Sequence, residues 1–261
     1  MIFNQRISMS DASPVLLTPD VVGGLAGKRV LVVGDIMLDA YLMGKDASAD
    51  RIRGLVRDEG ICGAFVALPQ RPNTVKTRVM ARRQQMLRLD SEDASPLSSA
   101  DQEALLSVIT EQLPAHDVVI LSDYSKGIVS LSFMSRLRGL LAASPHQVKV
   151  LIDPKPSNVG LYGGSFLLTP NTKETGECAG MPVRSREEIL AAGRAILEKV
   201  GCPHLLATLG LGLAAGLPLL ASCVLANYAA GLVVAQVGAA VASPDALREA
   251  IRELPVTITK W

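Results

Sequence analysis

Polar side chains follow five apolar segments of the chain, and their types suit the handling of phosphates and sugar hydroxyls. The first segment is followed by Asp35 and Asp39, and the last ends at Thr208 and Gly210. Acids, amides, hydroxyls and lysines follow the three segments between them: Ser122, Asp123, Tyr124, Lys126, Asp153, Lys155, Thr169, Asn171, Lys173 and Glu174. Carboxylates suit sugar hydroxyls and hydrated Mg²⁺, whereas lysines suit phosphates. Together these side chains predict phosphoryl chemistry on a polyol.

Motifs of three other chemistries are absent from the sequence. A dinucleotide-binding fold needs G-x-G-x-x-G after its first strand, whereas this chain reads GDIMLD from Gly34 to Asp39. Neither a P-loop nor the nucleophile elbow G-x-S-x-G occurs. The three histidines, His116, His146 and His204, lie at strand starts or in loops, and we expect no catalytic role for them.

Secondary-structure patterns predict where these polar groups lie. Short runs rich in Val, Ile and Leu predict buried strands at 28–35, 117–121, 148–152, 165–168 and 204–209. Segments with helical spacing alternate with them, at 100–113, 131–143 and 185–200. This alternation indicates a mostly parallel sheet with helices on both faces. Ligands bind at the carboxyl ends of the strands in such sheets, so we expect the polar groups to share one edge.

Local signals add three expectations. Ser98 with Asp101 predicts a capping box, and Ser185 should cap a helix that ends at Gly201. The basic segment 74–89 shows partial alternation and fits either an antiparallel pair of strands or an edge strand.

Composition excludes several classes of protein. The 261 residues are 49% hydrophobic, which allows a sizeable core, and the net charge of +1 predicts no nucleic-acid or membrane partner. The uncharged stretch 205–243 is long enough to span a bilayer, but Pro218, Asn227, Tyr228 and Gln236 favour buried helices instead. The four cysteines lack metal-ligand spacing, so we expect reduced core thiols and a cytoplasmic protein.

Several phrases of the sequence resemble ribokinase-like sugar kinases. VLVVGDIMLD resembles their first strand, and TVKTRVMARRQQMLRLD, LSDYSKG, IDPK, LLTPNTKE and LANYAAGLVVAQVG resemble bacterial heptose 7-phosphate kinases in particular. The resemblance runs from Gly27 to Glu253. It implies an α/β, ribokinase-like three-layer fold, with a small β lid largely absent from this sequence. It also implies ATP-dependent phosphorylation of the C1 hydroxyl of a heptose 7-phosphate, with Mg²⁺ as cofactor and K⁺ as a candidate further ion.

The resemblance assigns the residues after the later strands to ATP and Mg²⁺. They are Asp153, Lys155, Asn171, Thr172, Lys173, Glu174, Thr208, Gly210 and Asn227. Asn171 to Glu174 match an N-x-x-E region in which Glu174 acts on the metal through water, and Asn227 should lie near the adenine.

A second group of residues is assigned to the sugar: Asp39, Lys76, Arg78, Asp123 and Lys126. Asp39 matches the family's Asp that binds sugar hydroxyls. Lys76 and Arg78 are assigned to the 7-phosphate on charge and position, and a solvated strand face is the alternative interpretation for that pair. For Lys126 and Lys155 the alternative is a surface lysine.

Two motifs of the family do not occur in this sequence. One is Gly-Gly-x-x-Asn, which helps to form the sugar site, and the other is Gly-Ala-Gly-Asp, which supplies an anion hole and the catalytic base. No residue here is therefore assigned as the base. The sequence runs from Lys45, and again from Gly210, directly into residues that resemble a later helix. Because a parallel strand needs a crossover of a dozen or more residues, we expect omitted segments near 45/46 and 210/211.

Three functions stay open from the sequence. The first is an active heptose phosphate kinase whose base lies in an omitted segment. The second is a non-catalytic protein that binds a nucleotide or a sugar phosphate, and the third is a kinase of the same fold for another sugar or a nucleoside. In each case we expect a homodimer, with one kinase domain at 27–254 between a leader at 1–26 and a tail at 255–261.

Overall fold

The computed structural model describes residues 17–35, 37–41, 49–58, 60–81, 84–202, 204–205, 215–234 and 242–253. The chain divides into two compact units, Val30–Leu206 and the pair of segments Met1–Arg29 and Ala207–Trp261. The single domain at 27–254 stays a prediction. Thr208, Gly210 and the junctions at 45/46 and 210/211 lie outside the described residues.

The described residues form eight strands: β1 (Val30–Gly34), β2 (Met37–Tyr41), β3 (Thr74–Ala81), β4 (Gln84–Ser91), β5 (Val118–Ser122), β6 (Lys149–Asp153), β7 (Leu167–Leu168) and β8 (His204–Leu205). One sheet has the order β1-β5-β6-β7-β8, and every pair in it is parallel. β5 is apolar because both of its faces are covered: Val118 and Val119, on opposite faces, are almost fully buried, whereas Val32 of the edge strand β1 is 63% exposed. The predicted parallel sheet is therefore confirmed, and β1 and β7 are shorter than predicted.

A second sheet has the order β2-β3-β4. β2 runs parallel to β3, and β3 pairs antiparallel with β4, with an irregularity between Val79 and Met80. The basic segment 74–89 is thus an antiparallel pair, the first of the two structures that its sequence allows. The small sheet is more complete than the resemblance predicts, with three strands present. The difference arises because the residues of β2 continue the apolar run of the first strand, and their sequence alone does not separate the two strands.

Seven α-helices are described: α1 (Ala49–Asp58), α2 (Ser99–Gln112), α3 (Leu131–Ala142), α4 (Thr172–Ala179), α5 (Arg186–Val200), α6 (Leu219–Val234) and α7 (Pro244–Glu253). Short 3₁₀ helices span Pro19–Leu25, Leu113–Ala115 and Pro156–Leu161. The predicted helices correspond to α2, α3 and α5, and each begins and ends within one residue of its prediction.

Side-chain caps set the starts of these helices. The Ser98 hydroxyl accepts a hydrogen bond from the Asp101 amide at 3.1 Å, and Ser185 forms a complete capping box with Glu188. Gly201 ends α5 in the left-handed conformation, at φ +67°. Each cap satisfies backbone groups that a helix end leaves without partners, so the predicted boundaries follow from local chemistry.

The core of the Val30–Leu206 unit lies between the parallel sheet and helices α2, α3 and α5. Its fully buried members include Phe133, Ile152 and Ile196. Cys178 and Cys202 belong to this core as free thiols, whereas Cys62 is exposed and does not fit the expectation of a core thiol.

The other compact unit has a small core of its own, formed by Leu17, Val22, Ala221, Leu225, Leu247 and Ile251. Helix α6 lies within the uncharged stretch 205–243, and several of its residues join this core. Among the residues that the structure describes, no helix is both long and apolar enough to cross a membrane.

Two isoleucines of α5 test the assignment of its buried face. Ile196 is 0% exposed and Ile189 is 40% exposed. We expect Ile196→Ala to lower the free energy of unfolding by about 2–5 kcal/mol, because it leaves a cavity in a packed core. Ile189→Ala removes the same atoms from the surface of the same helix and should lower it by less than about 1 kcal/mol. Urea unfolding followed by circular dichroism measures both, and equal losses would contradict the packing.

Candidate active site

The parallel register brings the carboxyl ends of β1, β5 and β6 to one level. Gly34 pairs with Ser122, and Ser122 pairs with Asp153. A Cβ at Gly34 would lie 2.6 Å from the carbonyl oxygen of Ser122, so only glycine permits this approach. The amide of Asp123 donates to the carbonyl oxygen of Asp153 at 3.0 Å. Polar groups after these three strands therefore share one edge of the sheet.

Asp123 is the most buried acid at this edge, at 3% exposure. Its Oδ2 accepts hydrogen bonds from the Tyr162 hydroxyl at 2.6 Å and from Asn158 Nδ2 at 2.8 Å. Its Oδ1 accepts one from the amide of Ser125 at 2.6 Å. Three donors of the protein thus bind the carboxylate that was assigned to the sugar, and that assignment stays a prediction.

Tyr162 connects Asp123 to the segment after β6. The side chain is fully buried, and its oxygen accepts a hydrogen bond from the amide of Lys155 at 2.8 Å. Burial and the hydrogen bond to Asp123 raise the pKa of Tyr162 far above its ordinary value, so the phenol stays protonated and keeps donating. Neither Tyr162 nor Asn158 was predicted: Asn158 lies in the 3₁₀ helix after β6, and Tyr162 directly follows that helix. The sole sequence signal was the scarcity of tyrosine, with four in the chain.

Lys155 and Asn171 meet at Glu174. The Lys155 ammonium lies 2.5 Å from Glu174 Oε1, and Glu174 Oε2 accepts the amide of Asn171 at 3.1 Å. Asn171 Oδ1 in turn accepts the amide of Glu174 at 2.9 Å, which completes a capping box at the start of α4. Burial alone would lower the pKa of Lys155, but the hydrogen bond and the charge of Glu174 raise it, so the ammonium is held in the charged form.

Asp153 and Glu174 are two carboxylates at this edge that sense each other's charge. Burial and the charge of Glu174 raise the pKa of Asp153. Both oxygens of Glu174 already accept hydrogen bonds, from Lys155 and from the amide of Asn171. Among the described residues no group of three acids, histidines or cysteines could hold a metal by itself. A Mg²⁺ ion at this edge would therefore need the oxygens of substrate phosphates as further ligands.

Asp35 follows β1 at the same edge. Burial and the nearby charge of Asp123 raise its pKa to about 6, while Arg71 and Lys126 act in the opposite direction. This carboxylate is consequently mostly ionised at pH 7 and takes up a proton in mildly acidic solution.

Arg71 and Lys126 tie the second sheet to the loop after β5. Arg71 Nη2 donates to the carbonyl oxygens of Asp93 at 2.8 Å, Ser95 at 2.9 Å and Lys126 at 3.1 Å. The ammonium of Lys126 lies 2.5 Å from Glu92, and its side chain is 14% exposed. Lys126 is therefore not the surface lysine of the alternative interpretation, and Glu92 already neutralises the charge that was assigned to the sugar.

Gly127 makes the same junction tight. Its φ is +88°, and a Cβ there would lie 1.9 Å from the carbonyl oxygen of Ser95. Its own carbonyl oxygen accepts the amide of Leu97 at 3.1 Å. Any other residue would clash and force the two segments apart.

Three of the five positions assigned to the sugar, Asp39, Lys76 and Arg78, lie on the second sheet. Asp39 pairs with Lys76 in the register of β2 and β3, and Arg78 pairs with Tyr41. The Lys76 ammonium lies over the ring of Tyr124, 5.8 Å from its centroid, and the Lys155 ammonium lies 5.7 Å from the same centroid. Tyr124 thus connects the second sheet to the edge of the first.

The remaining described residues among the predicted ones lie on α4 and α6. Thr172 is exposed at the first position of α4, and the Lys173 ammonium lies 3.6 Å from Glu177 on the exposed side of that helix. Asn227 is an exposed residue of α6, which belongs to the other compact unit.

Comparison with curated sequences finds relatives along most of the chain, although no model of a protein family matches it. The bifunctional protein HldE of Paramagnetospirillum magneticum is 31% identical over 97% of this chain. HldE of Methylobacillus flagellatus is 33% identical over 90% of it. The chain spans 61% and 57% of the lengths of these two relatives. The first alignment has 298 positions, more than the 261 residues of the chain, so that HldE has residues where this chain has none.

Solved structures of sugar kinases share the fold. Phosphofructokinase-2 from Escherichia coli, in complex with potassium, has a TM-score of 0.64 at 14% identity and covers 90% of this chain and 85% of its own. Ribokinase from Arabidopsis thaliana, complexed with ribose and ATP, has a TM-score of 0.60 at 16% identity with the same coverage. This chain shares the fold of these sugar kinases, and by sequence it is similar to the bifunctional HldE proteins.

Proposed function

We propose that the protein transfers the γ-phosphoryl group of ATP to the C1 hydroxyl of D-glycero-β-D-manno-heptose 7-phosphate. The product would be the 1,7-bisphosphate, on the way to ADP-heptose for the lipopolysaccharide inner core. The observation that carries the proposal is one continuous chain of contacts, from Asp123 through Tyr162 to Lys155, and from Lys155 through Glu174 to Asn171. It joins the ends of β5 and β6 to the start of α4, as a site for a nucleotide beside a sugar requires.

The two sheets divide the work in this proposal. The start of α4, with the backbone amides of its first turn and the acid Glu174, faces the nucleotide and its Mg²⁺. The second sheet carries the sugar through Asp39 and the phosphate of the sugar through Lys76 and Arg78. The resemblance of LSDYSKG and LLTPNTKE to heptose 7-phosphate kinases, together with the relation to HldE, supports this choice of sugar.

Catalysis in this scheme is mainly positioning and neutralisation of charge. Lys155, held charged by Glu174, is placed to neutralise phosphoryl oxygens. Mg²⁺ would supply further neutralisation of the phosphates, with Asp153 and Glu174 as its nearest acids. The C1 hydroxyl must lose its proton to a general base, and the family's base motif does not occur in these 261 residues.

We further propose that the protein is a homodimer in the cytoplasm and that K⁺ is an additional ion.

The missing Gly-Ala-Gly-Asp motif favours a second candidate function, namely binding of a nucleotide or a sugar phosphate without catalysis. The two candidates share the binding site and differ only in turnover. Release of ADP, measured by a coupled assay with a panel of sugar phosphates, separates them when calorimetry measures binding in parallel. Binding with no ADP release supports the second candidate. ADP release with a different sugar phosphate would identify that sugar, and not the heptose, as the substrate. The intact mass shows whether the isolated protein contains more residues than this sequence.

The role of Asp39 can be tested by truncation. We expect Asp39→Ala to weaken the binding of heptose 7-phosphate roughly tenfold or more, because hydrogen bonds from sugar hydroxyls to a carboxylate are lost. The affinity for ATP should change by less than about twofold. Asp117→Ala removes an exposed acid just before β5, at the opposite end of that strand from Asp123, and serves as the matched control. Equal loss of sugar and ATP binding in the Asp39 variant would contradict the assignment.

The role of Glu174 can be tested without destroying the helix start, because Gln at this position can still form the capping box. We expect Glu174→Gln to weaken the binding of Mg²⁺-ATP about tenfold, because it removes the charge that holds Lys155 in place. The affinity for the sugar phosphate should stay nearly unchanged. Glu177→Gln, on the exposed side of the same helix, should leave both affinities unchanged. Calorimetric titrations measure both ligands, and similar losses in the two variants would argue against a nucleotide site at α4.

A further inference from the structure

Two lysine side chains from different sheets converge on one aromatic ring. Lys76 comes from β3 of the second sheet, Lys155 follows β6 of the parallel sheet, and Tyr124 lies in the loop after β5. The two ammonium groups lie 5.8 Å and 5.7 Å from the centroid of the Tyr124 ring. All three residues are half-buried. A ring approached in this way attracts cations through its negative face.

The charges of the two lysines are not compensated equally. Lys155 has a carboxylate partner, Glu174, at 2.5 Å. Lys76 has the Tyr124 ring as its contact and no carboxylate partner among the residues that the structure describes. A half-buried ammonium without a close counterion is unfavourable, and an anion bound beside Lys76 would remove that penalty.

The chemistry of the cluster favours a phosphate group as that anion. Lysine ammonium groups bind a phosphate monoester or a terminal phosphoryl group as point charges. Glu174 already pairs with Lys155, so the charge of Lys76 is the less compensated of the two and would be the main attraction for the phosphate.

We infer that Tyr124 is a positioning residue that gathers Lys76 and Lys155 into one phosphate-binding site. The inference deepens the proposed function and rests on it only for the source of the phosphate, which is either the sugar phosphate or the γ-phosphate of ATP. The ring acts through the lysines, because the cation–π contacts hold both ammonium groups against one side chain before the ligand arrives. Lys155 accordingly serves the junction between sugar and nucleotide, rather than the nucleotide alone.

Inorganic phosphate is the probe, because its binding does not depend on which sugar or reaction is correct. Calorimetry or ³¹P line broadening gives its affinity for the wild type, Tyr124→Phe, Tyr124→Leu and Lys76→Met. We expect Tyr124→Phe to bind as the wild type does, since it keeps the ring face. Tyr124→Leu and Lys76→Met should each weaken the binding of phosphate about tenfold. This factor corresponds to the loss of a partly desolvated cation–π contact or of one cation.

Lys149→Met is the matched control. Lys149 lies over the ring of Phe166, 5.6 Å from its centroid, but at the amino end of β6, so its loss should leave phosphate binding unchanged. Circular dichroism and the melting temperature show that each variant is folded. Competition by ATP and by heptose 7-phosphate identifies the source of the phosphate. Equal phosphate affinity in the wild type and Tyr124→Leu, no phosphate binding by the wild type, or loss in Tyr124→Phe equal to that in Tyr124→Leu would overturn the inference.

Binding of phosphate without any ADP release would leave this inference standing and count against the kinase. Release of ADP with an unchanged phosphate affinity in Tyr124→Leu would do the reverse. The two proposals therefore fail in different experiments.

Discussion

A carboxylate that is removed from water must be surrounded by donors, and at Asp123 this requirement organises the edge of the sheet. The side chain is 3% exposed and takes hydrogen bonds from Tyr162, Asn158 and Ser125. These donors come from the loop after β5 and from the segment after β6. Because Tyr162 also accepts the amide of Lys155, the buried acid sets the position of the chain that leads to Lys155. An otherwise unfavourable buried charge thereby gives the site its rigidity.

A second set of contacts connects the small sheet to this edge. Arg71 binds three carbonyl oxygens on both sides of the junction, Lys126 pairs with Glu92, and Gly127 allows the two segments to touch. Of these three residues only Lys126 was assigned to a ligand from the sequence, and its ammonium pairs with Glu92 instead. Lys76 and Lys155 lie over the ring of Tyr124, which connects the small sheet to this edge.

The relation to HldE and the motifs missing from the sequence agree with each other. The alignment with HldE of Paramagnetospirillum magneticum is longer than this chain. The sugar-site and catalytic-base motifs of the family are absent from the sequence of this chain. The residues that remain keep the elements that hold the site together: the parallel sheet, the capping box of α4 and the contacts of Asp123. The contacts at this edge therefore do not depend on the missing motifs.

The sequence by itself determined the elements and the edge on which they present polar groups. Apolar runs and capping residues such as Ser185 and Gly201 act over a few residues, so strands, helices and the N-x-x-E start of α4 could be predicted. Tertiary structure alone decided what each polar group does there. Asp123 and Lys126 are used inside the protein, whereas Tyr162, Asn158 and Arg71 gained roles that no motif indicated. The physical reason is that the partners of a buried charge come from segments far apart in sequence, and only packing brings them within hydrogen-bonding distance.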